Sequence, residues 1–206
     1  GAKNLLEAIK NSDVKKIIFA SSGAVYKSTQ GKAREFDESN EITNFEAAKS
    51  DPYRAGKIRA ESIFEDFYKK SNTQIFIARM FTFVGPFLPL DSNFAIGNFI
   101  NDCMLNKPIT VKSSGSSIRS YQFSTDMVNW LITILLFGKN GERYNIGSAE
   151  QVTIKNLANR VAEVFKNKYG VKILGDRTPD PVSGFYVPRI EKAKNELGLR
   201  NYFSLD

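Results

Sequence analysis

Apolar positions at Leu5, Leu6 and Ile9 keep helical spacing and predict a short helix over residues 2–11. The period then changes. Lys15-Lys16-Ile17-Ile18-Phe19-Ala20-Ser21-Ser22 has an apolar centre between polar ends, which predicts a strand buried on both faces. Residues 27–51 are polar and carry no pattern, so a long surface loop is expected there. From Pro52 to about residue 70 a helix is predicted, with Ile58, Ser62/Ile63 and Phe67 on one face and proline at its start. A second buried strand is expected over 74–79, ended by Gly85-Pro86.

Beyond it the pattern gives a helix over 94–106, a short strand over 108–111, a Ser/Gly turn at 113–117 and an extended piece at 121–123. A strongly apolar helix follows over 125–137, then a strand over 143–146. Residues 152–169 read as an amphipathic helix with Ile154, Leu157, Val161, Val164 and Phe165 inward. A strand at 171–174 and a helix at 190–197 closed by Gly198 complete the series, with a strand or turn at 201–206. Helices alternating with short apolar strands predict an α/β layer architecture with parallel pairing.

Composition removes whole classes of chemistry. The chain of 206 residues has no histidine, which excludes Ser-His-Asp catalysis, His-ligated metals and imidazole acid–base work within it. A single cysteine, Cys103, excludes a disulfide framework and Cys-based metal clusters and suits a reducing cytoplasm; no metal site is expected. No apolar run reaches the roughly 18 residues that cross a bilayer, and 130–137 reads as a buried helix, so no membrane partner is expected. The formal charge of +7 is scattered along helices (Lys3, Lys10, Lys69, Lys166), without the compact basic run of a nucleic-acid binder. A field of that sign suits a small anionic substrate instead. The chain opens on Gly1 and carries methionine only at Met80, Met104 and Met127, so it is expected to be a piece of a longer polypeptide.

The chemistry left must use Tyr, Lys, Asp, Glu or a hydroxyl. Tyr53 and Lys57 in Asp51-Pro52-Tyr53-Arg54-Ala55-Gly56-Lys57 stand four apart on the predicted helix, one turn apart on a face. An ammonium beside a phenol stabilises the phenolate, which lets such a tyrosine exchange a proton with a carbinol or ketone oxygen. Ser22 closes the first predicted strand, at the sheet edge where open α/β sheets bind ligands, and can hydrogen-bond the same substrate oxygen.

Three runs together, Ile17 to Tyr26, Pro52 to Lys57 and Arg79 to Pro86, resemble the extended short-chain dehydrogenase/reductase family, the NAD-dependent epimerase/dehydratase group acting on nucleotide sugars. The likeness continues through Ile118 to Asp126, Tyr144 to Ser148, Val187-Pro188 and the helix ending at Leu199. It implies a partial doubly wound, Rossmann-like parallel sheet with a smaller α/β substrate-binding lobe. Residues 1–86 would form the first part and 87–206 mostly the lobe, with about 120–148 returning to the core.

By that resemblance Ser22, Tyr53 and Lys57 are the catalytic triad and also touch the cofactor, NAD or NADP, with Lys57 on the nicotinamide ribose. Ala20, Ser21 and Phe81 would line the nicotinamide. Ser22 and Tyr53 would meet the sugar, and Thr82 stands where many relatives carry a substrate-contacting Asn. Asn93 and Phe94 would meet the diphosphate and base, Thr110 and Val111 would flank the base, and Arg119 would grip the diphosphate. Helices 2–11 and 53–70 would form a homodimer contact.

The Gly-rich dinucleotide fingerprint does not occur in these residues; in the family it precedes them. The segment by itself is therefore expected to bind cofactor weakly and to aggregate through exposed sheet edge. In the family's dehydratases Asp and Glu follow the catalytic hydroxyl. Here Gly23 and Ala24 stand there and can move no proton, so dehydration is not expected. The remaining choices are 4-keto reduction and 4-epimerisation of a UDP- or dTDP-sugar, with an inactive segment or binding module of the same fold as a further alternative, and the run Phe83 to Ile100 resembles reductases of dTDP-4-keto-6-deoxy sugars that serve polysaccharide synthesis.

Overall fold

The computed structural model describes residues 1–10, 12–27, 34–92, 94–175 and 184–205. Strand β1 (Lys16–Ser22) follows helix α1 (Ala2–Ile9). A single 3-10 turn, Gly23–Val25, and the short helix α2 (Phe45–Ala48) lead to α3 (Pro52–Tyr68) and then to β2 (Gln74–Met80). β2 lies parallel to β1 with Ser22 opposite Met80.

The next elements are β3 (Phe83–Val84), α4 (Ala95–Met104), β4 (Ile109–Val111), β5 (Ile118–Arg119) and β6 (Gln122–Phe123). Helix α5 (Ser124–Phe137) then returns the chain to the first sheet, where β7 (Arg143–Ile146) pairs parallel with β2. The chain ends with β8 (Val152–Thr153), α6 (Ile154–Val164), β9 (Val171–Ile173), β10 (Phe185–Tyr186) and α7 (Glu191–Leu197).

Period-two alternation along β2 decides what covers each face. Ile75 packs with Leu6 and Phe64 beneath α1 and α3. Phe76 and Ala78 pack with Trp130, Ile134, Tyr144 and Ile146 beneath α5 and α7. The parallel sheet β1-β2-β7 thus carries helices on both faces, the doubly wound arrangement. A separate core forms among α4, α6 and the parallel pair β4–β9, centred on Phe99, Ile109, Val111 and Leu157. β5 lies between β10, parallel to it, and β8, antiparallel to it.

Four expectations need correction. Strand β1 is not buried on both faces: Ile17, Ile18 and Phe19 are half-buried and Ala20 is exposed, because β1 is the edge of its sheet among the described strands. Helix α5 buries Trp130 and Ile134 but leaves Val128, Ile132 and Leu136 at the surface. Helix α6 stops at Val164, which is exposed together with Phe165, because the chain turns away there instead of continuing along the lobe. The inward face of α3 is set by Ala55, Ile58, Glu61 and Phe64, and Ser62 is exposed.

Residues 34–51, within the expected loop, are also more structured than their polarity implied. Phe36 is buried, donates its N–H to the Val187 carbonyl at 2.9 Å and accepts from the Arg189 N–H at 2.8 Å. These bonds tie the loop to the segment after β10.

Candidate active site

Ser22 is the last residue of β1, and its hydroxyl accepts from the Ala24 N–H at 3.2 Å, capping the 3-10 turn that follows. Helix α3 begins opposite. Asp51 caps it by accepting from the Arg54 N–H at 3.1 Å, Pro52 supplies a preset first-turn φ, and Arg54 Nε donates to the Ala24 carbonyl at 2.8 Å. That last bond fixes the start of α3 against the turn after Ser22.

One turn on, Lys57 Nζ donates to the Ala20 carbonyl at 2.7 Å and lies 5.7 Å from the Tyr53 ring centroid and 5.3 Å from that of Phe19. Tyr53 itself is open to solvent. A further turn along, Glu61 accepts from Ser21 Oγ at 2.5 Å, from Arg79 Nε at 3.1 Å and from Arg79 Nη2 at 2.7 Å. Spacing of four therefore places Tyr53, Lys57 and Glu61 along one face, and the sheet beneath holds the last two.

The cavity above them has a volume of about 1300 Å³. Ala20, Ser21, Ser22, Tyr53, Lys57, Phe81 and Thr82 line its sheet side. Phe94, at the start of α4, and Thr110, Val111 and Arg119 line the lobe side. Every expected site residue but one is thus at a single cavity; Asn93 lies outside the described residues. Val111 and Phe81 are almost wholly buried, so they wall the cavity more than they face it. Arg119 is held by donating Nη1 to the Ile118 carbonyl at 2.8 Å and to that of Gly184 at 3.3 Å.

Tyr186 went unread in the sequence. It reaches the same cavity from β10, and burial pushes its phenol up to about 12 against the smaller lowering effect of a hydrogen bond with Ser22. A lone aromatic in an unpatterned stretch gives no periodic signal. Beneath the site, burial likewise pushes Tyr26 up to about 12; its hydroxyl donates to Asn145 Oδ1 at 2.7 Å, and the Arg79 guanidinium lies 4.8 Å from its ring centroid.

Residues 1–147 match the NAD dependent epimerase/dehydratase family. The match covers well over half the chain, and the chain belongs to that family. It is similar to UDP-glucuronic acid decarboxylase 3 of Arabidopsis thaliana, 32% identical over 146 residues, covering 71% of this chain and 42% of that protein. The dTDP-D-glucose 4,6-dehydratase of Homo sapiens is 29% identical over 168 residues, covering 81% of this chain and 45% of that one. Among solved structures, UDP-glucuronic acid 4-epimerase from Bacillus cereus, in complex with UDP-glucuronic acid and NAD, superposes with a TM-score of 0.82 at 25% identity, covering 99% of this chain and 62% of that chain. The chain thus spans under half the length of these curated relatives.

The residues present fit the reactive end of a nicotinamide dinucleotide. The Lys57 ammonium, held at the Ala20 carbonyl, and the Phe81 ring behind it line one cavity of sufficient size. No helix among the described residues is long and apolar enough to cross a membrane, and no group of three metal-binding side chains occurs among them.

Proposed function

We propose that this chain is the catalytic portion of an NAD(P)-dependent nucleotide-sugar oxidoreductase that acts at C4, reducing a dTDP-4-keto-6-deoxy sugar in polysaccharide precursor synthesis. The bound nicotinamide supplies hydride exchange at that carbon. Tyr53 Oη gives or takes the proton at the C4 oxygen, the Ser22 hydroxyl donates to the same oxygen, and Lys57 holds the cofactor ribose and favours the Tyr53 phenolate. Arg119, Phe94, Thr110 and Val111 take the nucleoside diphosphate on the lobe side. In this reading residues 1–86 carry the chemistry and most of 87–206 the substrate, and a homodimer forms through α1 and α3.

The observation that carries the choice of reaction lies beside Ser22. Positions 23 and 24 are Gly and Ala, so no side chain there can move the second proton that water loss requires. Reduction and epimerisation need only the hydride and the Tyr53 proton. Epimerisation of a UDP- or dTDP-sugar is the second reading, favoured by the likeness to the Bacillus cereus epimerase.

The test is the full-length protein incubated with a dTDP-4-keto-6-deoxy sugar and NADH or NADPH. Stoichiometric loss of nicotinamide absorbance supports reduction. Conversion of a 4-hydroxy sugar to its epimer without net loss transfers the assignment to epimerase. Tyr53→Phe is expected to lower kcat by about 10²–10⁴-fold with nucleotide binding retained; full activity in that variant would remove Tyr53 from the mechanism.

A further inference from the structure

The stretch Arg119 to Trp130 does two things at once. Arg119, Tyr121 and Ser124 line the cavity. Gln122, Asp126 and Trp130, by contrast, are buried and spend their polar groups on another segment. Within the stretch, β6 lies parallel to β3 with Gln122 opposite Phe83. Helix α5 then starts hard against the loop that enters the cavity, since a Cβ on Gly85 would overlap Ser124 Oγ. With packing this close, a shift in the first turn of α5 is passed on to the cavity wall.

The segment 199–205 holds the buried side. Trp130 Nε1 donates to the Arg200 carbonyl at 3.0 Å, and Gln122 Nε2 donates to Asn201 Oδ1 at 2.8 Å. Asn201 Nδ2 in turn donates to the Gly147 carbonyl at 3.1 Å. Asp126 Oδ2 accepts from the Tyr202 N–H at 2.9 Å and from the Phe203 N–H at 3.1 Å. The Phe203 and Phe123 rings meet with centroids 4.8 Å apart. At one end Leu199 lies in the core beneath α5 and α7. At the other, Leu205 packs on the lobe core and donates its N–H to Glu150 Oε2 at 3.2 Å. The segment thus crosses from one core to the other.

Asp126 is its strongest anchor. Hydrogen bonds to an ionised carboxylate are about twice as strong as neutral ones. Asp126 also stands in the first turn of α5, where the helix dipole favours negative charge. Two successive N–H groups on one oxygen fix the register of the segment along the helix. We propose that Asp126 is a positioning residue for the nucleoside diphosphate: by anchoring 199–205 it sets the spacing between the wall of Arg119, Tyr121 and Ser124 and the lobe residues across the cavity. The proposal rests on the oxidoreductase reading above for where that diphosphate sits.

Equilibrium titration of the full-length protein with nucleotide (dTDP or UDP, whichever the parent binds more tightly) and separately with NADH tests it without requiring turnover. Asp126→Ala removes the acceptor and is expected to weaken the nucleotide about tenfold, the equivalent of one such hydrogen bond, with NADH affinity at the parent's value. Where the protein turns over a nucleotide sugar, KM for that sugar rises in step. Asp126→Asn keeps a carbonyl oxygen for the same two N–H groups and should bring the affinity back toward the parent's. Asn201→Ala gives up the bonds to Gln122 and Gly147 with Asp126 in place and should weaken the nucleotide about threefold, which decides the matter if Asp126→Ala does not fold. Parent-like nucleotide affinity in these variants, with only the thermal midpoint lowered, would make the segment a structural brace and overturn the positioning role. Equal losses for nucleotide and NADH would overturn it too. If no nucleotide sugar is turned over but the nucleotide binds and weakens as stated, the oxidoreductase reading alone fails. A parent protein that binds neither dTDP nor UDP sinks both.

Discussion

Glu61 and Arg79 are each 2% exposed, with side chains that carry opposite charge beneath the strand ending in Ser22. Burial disfavours the Arg79 cation, but the Glu61 carboxylate more than offsets this through two hydrogen bonds and its charge, so the guanidinium pKa is raised. The same carboxylate accepts from Ser21, next to Ser22, so one buried group links α3 to two strands. Glu61→Gln leaves a buried cation with no counter-charge and is expected to cost about 3–5 kcal/mol in urea unfolding; a loss under about 1 kcal/mol would mean that the pair does not hold α3 to the sheet. The sequence showed Tyr53 and Lys57 by their spacing, yet Glu61, one further turn along, went unread. A glutamate on an amphipathic helix ordinarily faces water, and only the arginine on the next strand inverts that expectation.

At the scale of elements, α7 is fixed to the sheet by Lys192, whose Nζ donates to Glu142 Oε2 at 2.6 Å and to the Arg143 carbonyl at 2.8 Å and lies 4.8 Å from the Tyr144 ring centroid. The hydrogen bond from Lys192 is the chief cause that holds the Glu142 carboxyl below its ordinary 4.5. A folded pKa below the unfolded one means stability that is present above the unfolded value and is lost as pH falls through the folded one. Asp37 acts in the same direction through its bonds from Ser39. Glu38, raised by burial, acts in the opposite one and loses its contribution as pH rises through its folded pKa. Glu142→Gln should therefore flatten the acid limb of stability below about pH 4.5, read by urea midpoints across a pH series. An unaltered limb would assign the acid sensitivity to other carboxylates. Strand β7 and helix α7 were legible because turn residues bound them, Gly198 closing α7 in the left-handed region at φ 65°. The exposed faces of α5 and α6 were not. Periodicity gives the element, whereas burial depends on what lies opposite, and a single sequence does not contain that.

For the molecule as a whole, the informative surface is the one left apolar. Val128, Ile132 and Leu136 follow one another at spacing four along α5, about half exposed, and Phe137 next to them is 71% exposed. The patch borders the start of β1, where Lys16 Nζ donates to the Leu136 carbonyl at 2.6 Å and Val14 is exposed. β1 also has a free edge among the described strands. Contiguous apolar surface joined to an unpaired strand edge is where association begins. The 206-residue chain expressed by itself is expected to self-associate and to bind a hydrophobic dye. Ile132→Lys with Leu136→Lys should shift its sedimentation toward monomer without changing the far-ultraviolet spectrum. In the full-length protein the same pair of charges separates two cases. A lowered thermal midpoint means that the stripe is covered there and the lysines are forced into an apolar contact. An unchanged midpoint means that α5 faces water in the whole protein too, and association of the shorter chain then proceeds from the β1 edge alone.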